Sequence, residues 1–238
     1  MRKKEIVRHE TSTVPLHDPK VVINRWPLLV FAGILVLGAL LRFNALERRY
    51  ENYPQGSDGS LEYKVYGENI LDYTLQGKAF PQGTVTHKPA MSVLVAGVFG
   101  LVGRSSYVQY CTSLAVSLIA IGAFYCLMAR LYGVWTALIA SFCLAVNAAA
   151  VTDSVAGTSI PLMCLLLIGF FYLIVEQEHS FDRWRAWKIG LVGALLCLTR
   201  EEAWYGMAGF AGVLLLTHRQ QLSQCVKQYY PLLVLPLA

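Results

Sequence analysis

Residues 134–175 read VWTALIASFCLAVNAAAVTDSVAGTSIPLMCLLLIGFFYLIV, and this stretch decides the fold class. Its only ionisable side chains are Asp153, Tyr172 and the thiols of Cys143 and Cys164. The stretch is too long and too apolar for one buried helix, whereas a membrane-spanning helix needs about 20 apolar residues. We therefore predict two membrane spans here, with Asp153 in the short connection between them.

The composition of the whole 238-residue chain points the same way. Apolar residues make up 55% of it and charged residues only 15%, against roughly 25% charged residues in a soluble domain. Too few ionic groups remain to cover a water-facing surface, which excludes a soluble domain. The six cysteines show no metal-ligand spacing, so we interpret them as packing residues. The predicted fold class is an all-α, polytopic transmembrane helix bundle.

Eight apolar runs set the number of spans. They are 26–46, 89–103, 107–129, 134–152, 158–175, 189–199, 203–217 and 229–238. The run 89–103 begins with a proline and is short for a span, and runs of this length are more often re-entrant or interfacial. The run 229–238 is too short to cross. We predict six complete spans and a truncated seventh, in the N-terminal part of a longer protein.

The distribution of charge orients these spans. If 89–103 does not cross, the inner side carries twelve basic residues against six acids, and the outer side carries eight, counting Arg42, against nine. The positive-inside rule favours this arrangement over its inverse. The predicted order is a cytoplasmic basic tail over 1–25, a first span over 26–46, an outer loop over 47–106 and a bundle over 107–238. The tail lacks interleaved aromatic residues, so we expect no nucleic-acid partner.

The outer loop contains a segment with helical periodicity, SDGSLEYKVYGENILDYTL over residues 57–75. One side of the helix would carry Tyr63, Tyr66, Ile70 and Tyr73, and the other side would carry Lys64, Glu68 and Asp72. Tyrosine rings suit the membrane interface. We predict an amphipathic helix over about 58–74 that lies on the membrane surface. A purely structural lid is the alternative.

Two acids of the outer side are candidate catalytic groups. Asp58 begins the predicted amphipathic helix, where it would act either as an N-cap or as a carboxylate facing a cavity. Asp153 lies between two spans, where it would face either lipid headgroups or a functional site. Both acids are also the candidate ligands if a divalent cation binds, and no metal-binding motif decides this question.

Basic residues near the same membrane face are candidates for binding an anion. Lys88, preceded by His87, stands directly before the proline that opens 89–103, where it would snorkel to headgroups or hold a phosphate. Arg200, Glu201 and Glu202 follow a very short apolar run. Charges at that depth need partners, either one another or water. The acids and bases together would suit a lipid-linked phosphate and an acceptor hydroxyl.

The order of these features resembles a known group of enzymes. A basic tail and one span are followed by an early acid, H-K-P at 87–89, A-R-L-Y-G at 129–133, a second acid at 153 and L-T-R-E-E at 198–202. Over roughly residues 25–217 this pattern resembles the membrane-embedded glycosyltransferases of the GT-C fold. The protein O-mannosyltransferases and lipid A aminoarabinose transferases are the most similar branch.

The resemblance implies a function for each candidate residue. Such enzymes move a sugar from a polyprenyl-phosphate carrier to an acceptor, usually with inversion. Asp58 would be the general base or acceptor contact, Asp153 would bind a metal or the acceptor, and Lys88 and Arg200 would contact the donor phosphate. Two positions depart from the pattern. Gly59 stands where an acid often follows the first, which leaves Glu62 as the nearest carboxylate, and His87 replaces an acid before the lysine.

The expected function is therefore glycosyl transfer from a polyprenyl-phosphate-linked donor to a hydroxyl of a lipid, glycan or protein acceptor. The resemblance implies a bacterial plasma membrane, with Mg²⁺ or Mn²⁺ as the possible cofactor and membrane lipids as further partners. A lipid or sugar transporter is one alternative, and it would need charges along a path through the membrane. A non-catalytic membrane scaffold is the other.

Overall fold

The computed structural model describes residues 25–54, 58–78, 89–177 and 183–217. All regular secondary structure within these ranges is helical, which confirms the all-α prediction. The helices are α1 (Arg25–Asn52), α2 (Asp58–Gln76), α3 (Pro89–Val102), α4 (Ser106–Tyr132), α5 (Val134–Val146), α6 (Ala148–Ser154), α7 (Ile160–Gln177), α8 (Arg183–Cys197) and α9 (Glu202–Thr217).

Two of the described helices are long and apolar enough to cross a membrane. They are α1, with 28 residues, and α4, with 27, and a helix of this size is about 40 Å long. The pair α5 and α6 would supply a third span if counted as one broken helix, and α3, α7 and α8 contain shorter apolar segments. The six spans remain a prediction. The truncated seventh at 229–238 and the tail over 1–24 lie outside the described residues.

The two long helices pack antiparallel along their whole length. The rings of Phe31 and Tyr125 stack at 4.2 Å near one end, and the rings of Tyr50 and Tyr107 meet edge to face at the other. Leu46 is fully buried between these contacts, against residues of α4. The end of α1 and the start of α4 therefore lie at the same end of the bundle, called here the site end.

A polar residue breaks the apolar run that was predicted to be a single helix over 134–152. The side-chain oxygen of Asn147 accepts a hydrogen bond from the backbone N–H of Ala150 at 2.9 Å, which caps α6. Asparagine is among the residues that favour this N-cap position. The two helix axes meet at 62°, so α6 carries Asp153 away from the line of α5.

Helices α2 and α3 form a parallel pair. The buried ring of Tyr63 belongs to one apolar cluster with Met91, Val95 and Phe99 of α3, and further along Leu71 faces Gly100. Between these contacts lies Gly67, where an added Cβ would come within 2.9 Å of the Val95 side chain. Glycine thus permits the close approach of the two helices.

The buried face of α2 differs from the tyrosine face suggested by the sequence. Ser60, Tyr63 and Gly67 are buried, whereas the side chain of Tyr73 is 58% exposed. The buried residues of α2 are those that contact α3 and α4. Of these, only Tyr63 also belongs to the predicted tyrosine face. The helix itself covers the predicted range, and its position at a membrane surface stays a prediction.

Candidate functional site

Four parts of the chain meet at the site end of the bundle. They are the first turns of α2, the start of α4, the α6–α7 connection with Asp153 just before it, and the connection from α8 to α9. Buried hydrogen bonds join the first three of these parts, and a backbone contact brings the fourth against the start of α3.

Gln109 is the central link at this end. Its fully buried side-chain amide donates to the carbonyl oxygen of Ser60 at 2.7 Å and to that of Gly157 at 2.8 Å. Ser60 follows Asp58 by two positions, and Gly157 follows Asp153 by four. One amide group therefore ties the two chain segments that carry the predicted catalytic acids.

Gly157 suits this link for two reasons. Its φ of +70° lies in the left-handed region, which side chains with a Cβ rarely adopt. An added Cβ would also come within 2.9 Å of the Tyr110 ring and within 3.2 Å of Gln109 Nε2. The α6–α7 connection can approach α4 closely only with glycine here.

Two further contacts fasten α2 at the same place. The hydroxyls of Tyr63 and Ser159 share a buried hydrogen bond of 3.0 Å, and the ammonium of Lys64 donates to Ser106 Oγ at 3.2 Å. Tyr63 was expected to face the membrane and Lys64 to face water. Instead they hold α2 to the residue just before α7 and to the first residue of α4. Sequence spacing gave no signal for these partners, because each lies more than forty positions away along the chain.

The predicted acids reach the site end in different ways. Asp153 is partly buried on α6, and its carboxylate makes no hydrogen bond or ion pair with the described residues. Glu62 is exposed on α2. Asp58 begins α2, but its side chain lies outside the described residues, so only its chain segment is brought toward that of Asp153.

The predicted arginine is held by its own neighbour. Arg200 donates from Nε and Nη2 to the two carboxylate oxygens of Glu202, at 3.0 and 2.8 Å. Because of this hydrogen-bonded carboxylate, and in smaller part the charge of Asp153, the pKa of the Arg200 guanidinium is raised. Glu201 is exposed. The fork gives Arg200 a partner, and the depth of these charges in the membrane stays a prediction.

The predicted lysine and histidine, Lys88 and His87, lie outside the described residues. The neighbouring backbone is described, and the N–H of Ala90 donates to the carbonyl oxygen of Leu198 at 3.2 Å. The first turn of α3 thus lies against the chain just before Arg200.

A cavity of about 320 Å³ lies next to α6. Its polar wall residues are Arg42, Ser117 and Asp153, and the rest of its wall is apolar apart from one thiol. These other residues are Ala120, Ile121, Phe124, Leu144, Ala150, Ile160, Pro161, Cys164, Leu167 and Ile168. The cavity wall therefore combines a carboxylate and a guanidinium with an apolar surface that suits a hydrocarbon chain.

Arg42 is the buried charged residue of this end that sequence reasoning missed. It was counted among the charges of the outer side, yet it is fully buried in the bundle. A signal was present, because α1 buries Ile34, Gly38, Arg42 and Leu46, each four positions after the last. Residues at this spacing share one face of a helix, so the pattern places the arginine on the packed side.

Metal ligands do not cluster in the described part of the chain, where no three His, Cys, Asp or Glu residues come together as a metal site would need. The assignment of Asp58 and Asp153 as ligands of a divalent cation stays a prediction.

Comparison with known proteins supports the resemblance. The sequence model of a family described as dolichyl-phosphate-mannose-protein mannosyltransferase matches residues 86–238, which is more than half of the chain. No curated protein matches, and no solved structure matches. The matched range includes the Asp153 segment, most of the cavity wall and the Arg200–Glu202 fork.

Proposed function

Because the chain belongs to the dolichyl-phosphate-mannose-protein mannosyltransferase family, we propose that this integral membrane protein transfers a sugar from a polyprenyl-phosphate carrier to an acceptor hydroxyl. The reaction takes place at the outer membrane face, and the N-terminus is cytoplasmic in the plasma membrane. The acceptor is a lipid, a glycan or a protein.

One observation carries this proposal beyond the family match. The cavity brings a buried arginine and the Asp153 carboxylate, which has no partner among the described residues, to the edge of an apolar wall. A lipid-linked sugar has the matching parts, namely hydroxyls, a phosphate and a hydrocarbon chain. The chain segment that carries Asp58 is tied to the same end through Gln109.

The proposed chemistry is a single displacement. The Asp58 carboxylate accepts the proton of the acceptor hydroxyl, whose oxygen then attacks the anomeric carbon. The bond from that carbon to the phosphate oxygen breaks, its electron pair stays on the phosphate, and the configuration is inverted. Lys88 and Arg200 stabilise the charge on the departing lipid phosphate, as preorganised cations do where charge develops.

The remaining predicted residues support these roles. Asp153 orients the acceptor or, with Asp58, holds a divalent cation. Glu202 positions the guanidinium of Arg200 through its two hydrogen bonds. Glu62, Glu201 and His87 add charge near the acceptor and the phosphate.

Asp58→Asn tests the proposed base. Loss of a general base reduces transfer by about 10²- to 10⁴-fold, while the amount of protein in the membrane stays the same. The assay is acceptor-dependent release of labelled sugar from a polyprenyl-phosphate donor. Glu51→Gln, an exposed carboxylate at the end of α1, is the matched control and should retain activity. Full transfer by Asp58→Asn would refute the assignment.

A transporter of lipid-linked sugars is the second candidate, because the buried Arg42 gives the bundle a charge inside its first long helix. A transporter would move the intact donor across a vesicle membrane without breaking its sugar–phosphate bond. Intact donor translocation without release of sugar would favour this reading over the transferase.

A further inference from the structure

Among the described residues, the guanidinium of Arg42 is held by neutral acceptors. Its Nε donates to Ser117 Oγ at 3.0 Å, and its Nη1 donates to the carbonyl oxygens of Gly38 and Ala145 at 3.1 and 2.9 Å. These bonds fix the planar group between α1, α4 and α5. Two of the three guanidinium nitrogens, Nε and Nη1, donate these hydrogen bonds.

Within the described part of the chain, the third nitrogen and the positive charge have no partner. Arg42 Nη2 is buried and makes no hydrogen bond there, and no carboxylate of the described residues forms an ion pair with this arginine. Arginine stays charged at any accessible pH. A buried and unpaired charge is strongly unfavourable, so an anion that reaches Nη2 would gain a charge-assisted hydrogen bond.

The cavity wall indicates what kind of anion fits. From the level of Arg42 the wall continues along α4 through Ala120 and Phe124 and along α7 through Cys164 and Ile168. Seven positions of a helix cover about 10 Å, which is enough for the first units of an isoprenoid chain. An anionic head on a hydrocarbon tail matches this lining, whereas a fully polar anion would leave most of it uncovered.

The carboxylate of Asp153 limits the negative charge that a ligand of this cavity can carry. Its carboxylate lines the same cavity, so one negative charge faces the ligand together with the cation. A phosphate monoester carries nearly two negative charges at neutral pH, whereas a phosphodiester carries one. The sugar-loaded carrier is a diester, and its sugar hydroxyls could donate to the free carboxylate.

We propose that Arg42 binds the phosphate of a polyprenyl phosphodiester in this cavity, with the lipid chain between α4 and α7. The choice of a lipid phosphate among anions rests on the function proposed above. Arg200 differs from Arg42, because the carboxylate of Glu202 already occupies its fork. Arg42 therefore holds the carrier before the reaction, and Arg200 responds to the charge that develops during transfer.

Binding of methyl farnesyl phosphate, a diester without a sugar, tests this proposal on the purified full chain in detergent. Removing a charged hydrogen bond costs about 1.5–3 kcal/mol, so Arg42→Gln should raise the Kd about tenfold to a hundredfold. The Kd of uncharged farnesol should not change. Arg42→Lys keeps the positive charge but loses the planar guanidinium. Its Kd for methyl farnesyl phosphate should lie between those of the unsubstituted chain and of Arg42→Gln. Arg130→Gln, an exposed arginine in the last turn of α4, is the control and should bind like the unsubstituted chain.

Two results of the binding experiment would overturn the proposal. An unchanged Kd of Arg42→Gln for methyl farnesyl phosphate would remove the arginine from the site. An equal loss of affinity for farnesol and for the phosphodiester would show that the substitution damages the cavity in general and that the arginine does not recognise the phosphate.

A second measurement keeps Arg42 in place and so does not depend on the folding of a variant. The free thiol of Cys164 lines the cavity. The other five cysteines would be replaced by alanine, at Cys111, Cys126, Cys143, Cys197 and Cys225. Saturating methyl farnesyl phosphate should slow alkylation of Cys164 by N-ethylmaleimide, and inorganic phosphate should not. Unchanged alkylation, or equal protection by inorganic phosphate, would overturn the lipid site.

The two proposals fail separately, because the binding probe has no sugar to transfer. Arg42-dependent binding in a protein that never releases sugar from its donor would contradict the transferase and leave the cavity assignment standing. Sugar release that is unaffected by Arg42→Gln, together with unchanged binding, would contradict the cavity assignment and leave the transferase.

Discussion

At the scale of single residues, the site end depends on polar groups that the amino-acid sequence does not mark as special. Gln109 is one amide in a long apolar run, yet it bridges two distant carbonyl oxygens. Buried amides need their hydrogen bonds, but the sequence does not say with which residue. Asp58, Asp153 and Arg200 could be singled out as candidates from their types and positions, and their roles stay predictions. Their supporting partners required the fold.

Gly157→Ala should destabilise the protein through both strain and contact. A residue with a Cβ in the left-handed region costs about 1–2 kcal/mol, and its Cβ would also press on the Tyr110 ring. We expect a lower midpoint of thermal unfolding in detergent and reduced sugar transfer. Gly77→Ala is the matched control, because Gly77 has a φ of +62° and no atom near its Cβ position. Equal effects of the two substitutions would rule out the contact with Tyr110.

At the scale of helices, apolar runs predicted where most helices lie, but their ends and breaks depend on other forces. Helix α1 continues to Asn52, beyond the run that ends at residue 46, because its backbone hydrogen bonds do not require apolar side chains. The run 134–152 contains a break that hydropathy cannot detect, since Asn147 acts through its side-chain cap. The burial of Arg42 was missed because counting charges along a run ignores which side of the helix they occupy.

The far end of the α2–α3 pair should show a dependence on pH. Asp72 forms ion pairs with Arg104 at 2.6 Å and with Lys78 at 3.3 Å, and chiefly the Arg104 guanidinium lowers the pKa of the carboxyl below its usual 3.8. A lowered pKa in the folded state gives stability that is present above the unfolded-state pKa and is lost as pH falls through the folded-state value.

Measurement of thermal unfolding at pH 6 and at pH 3 tests this dependence. The unsubstituted chain should lose more stability between the two than Asp72→Asn does, and added salt should reduce the difference because the groups are partly exposed. The same loss in both proteins would assign the acid sensitivity to other carboxyl groups.

At the scale of the whole molecule, the antiparallel α1 and α4 and the contacts at the site end support one shared face for the predicted residues. The class of the fold was evident from composition and from apolar runs. The number of crossings was not, because helices such as α7 and α8 are shorter than an ordinary span and only their packing suggests how they traverse the bundle.

Labelling of single cysteines in intact cells tests this arrangement. In a chain without native cysteines, exposed positions would be changed one at a time as Glu62→Cys, Glu201→Cys and Arg130→Cys. A membrane-impermeant thiol reagent should label the first two and not the third. Labelling at Arg130→Cys but not at Glu201→Cys would separate the predicted site residues by the bilayer and contradict a common active site.

The interruption of α5 at Asn147 also has an electrostatic effect on Arg42. A helix end carries unsatisfied carbonyls and a partial charge of about −0.5 elementary charge, and here the Ala145 carbonyl oxygen reaches the guanidinium at 2.9 Å. The dipole of α5 thus stabilises the arginine without neutralising it. A carboxylate in the same place would cancel the cation and close the cavity to anions. The broken helix lets the bundle keep a positive charge in its interior, which is the charge that the proposed lipid phosphate would meet.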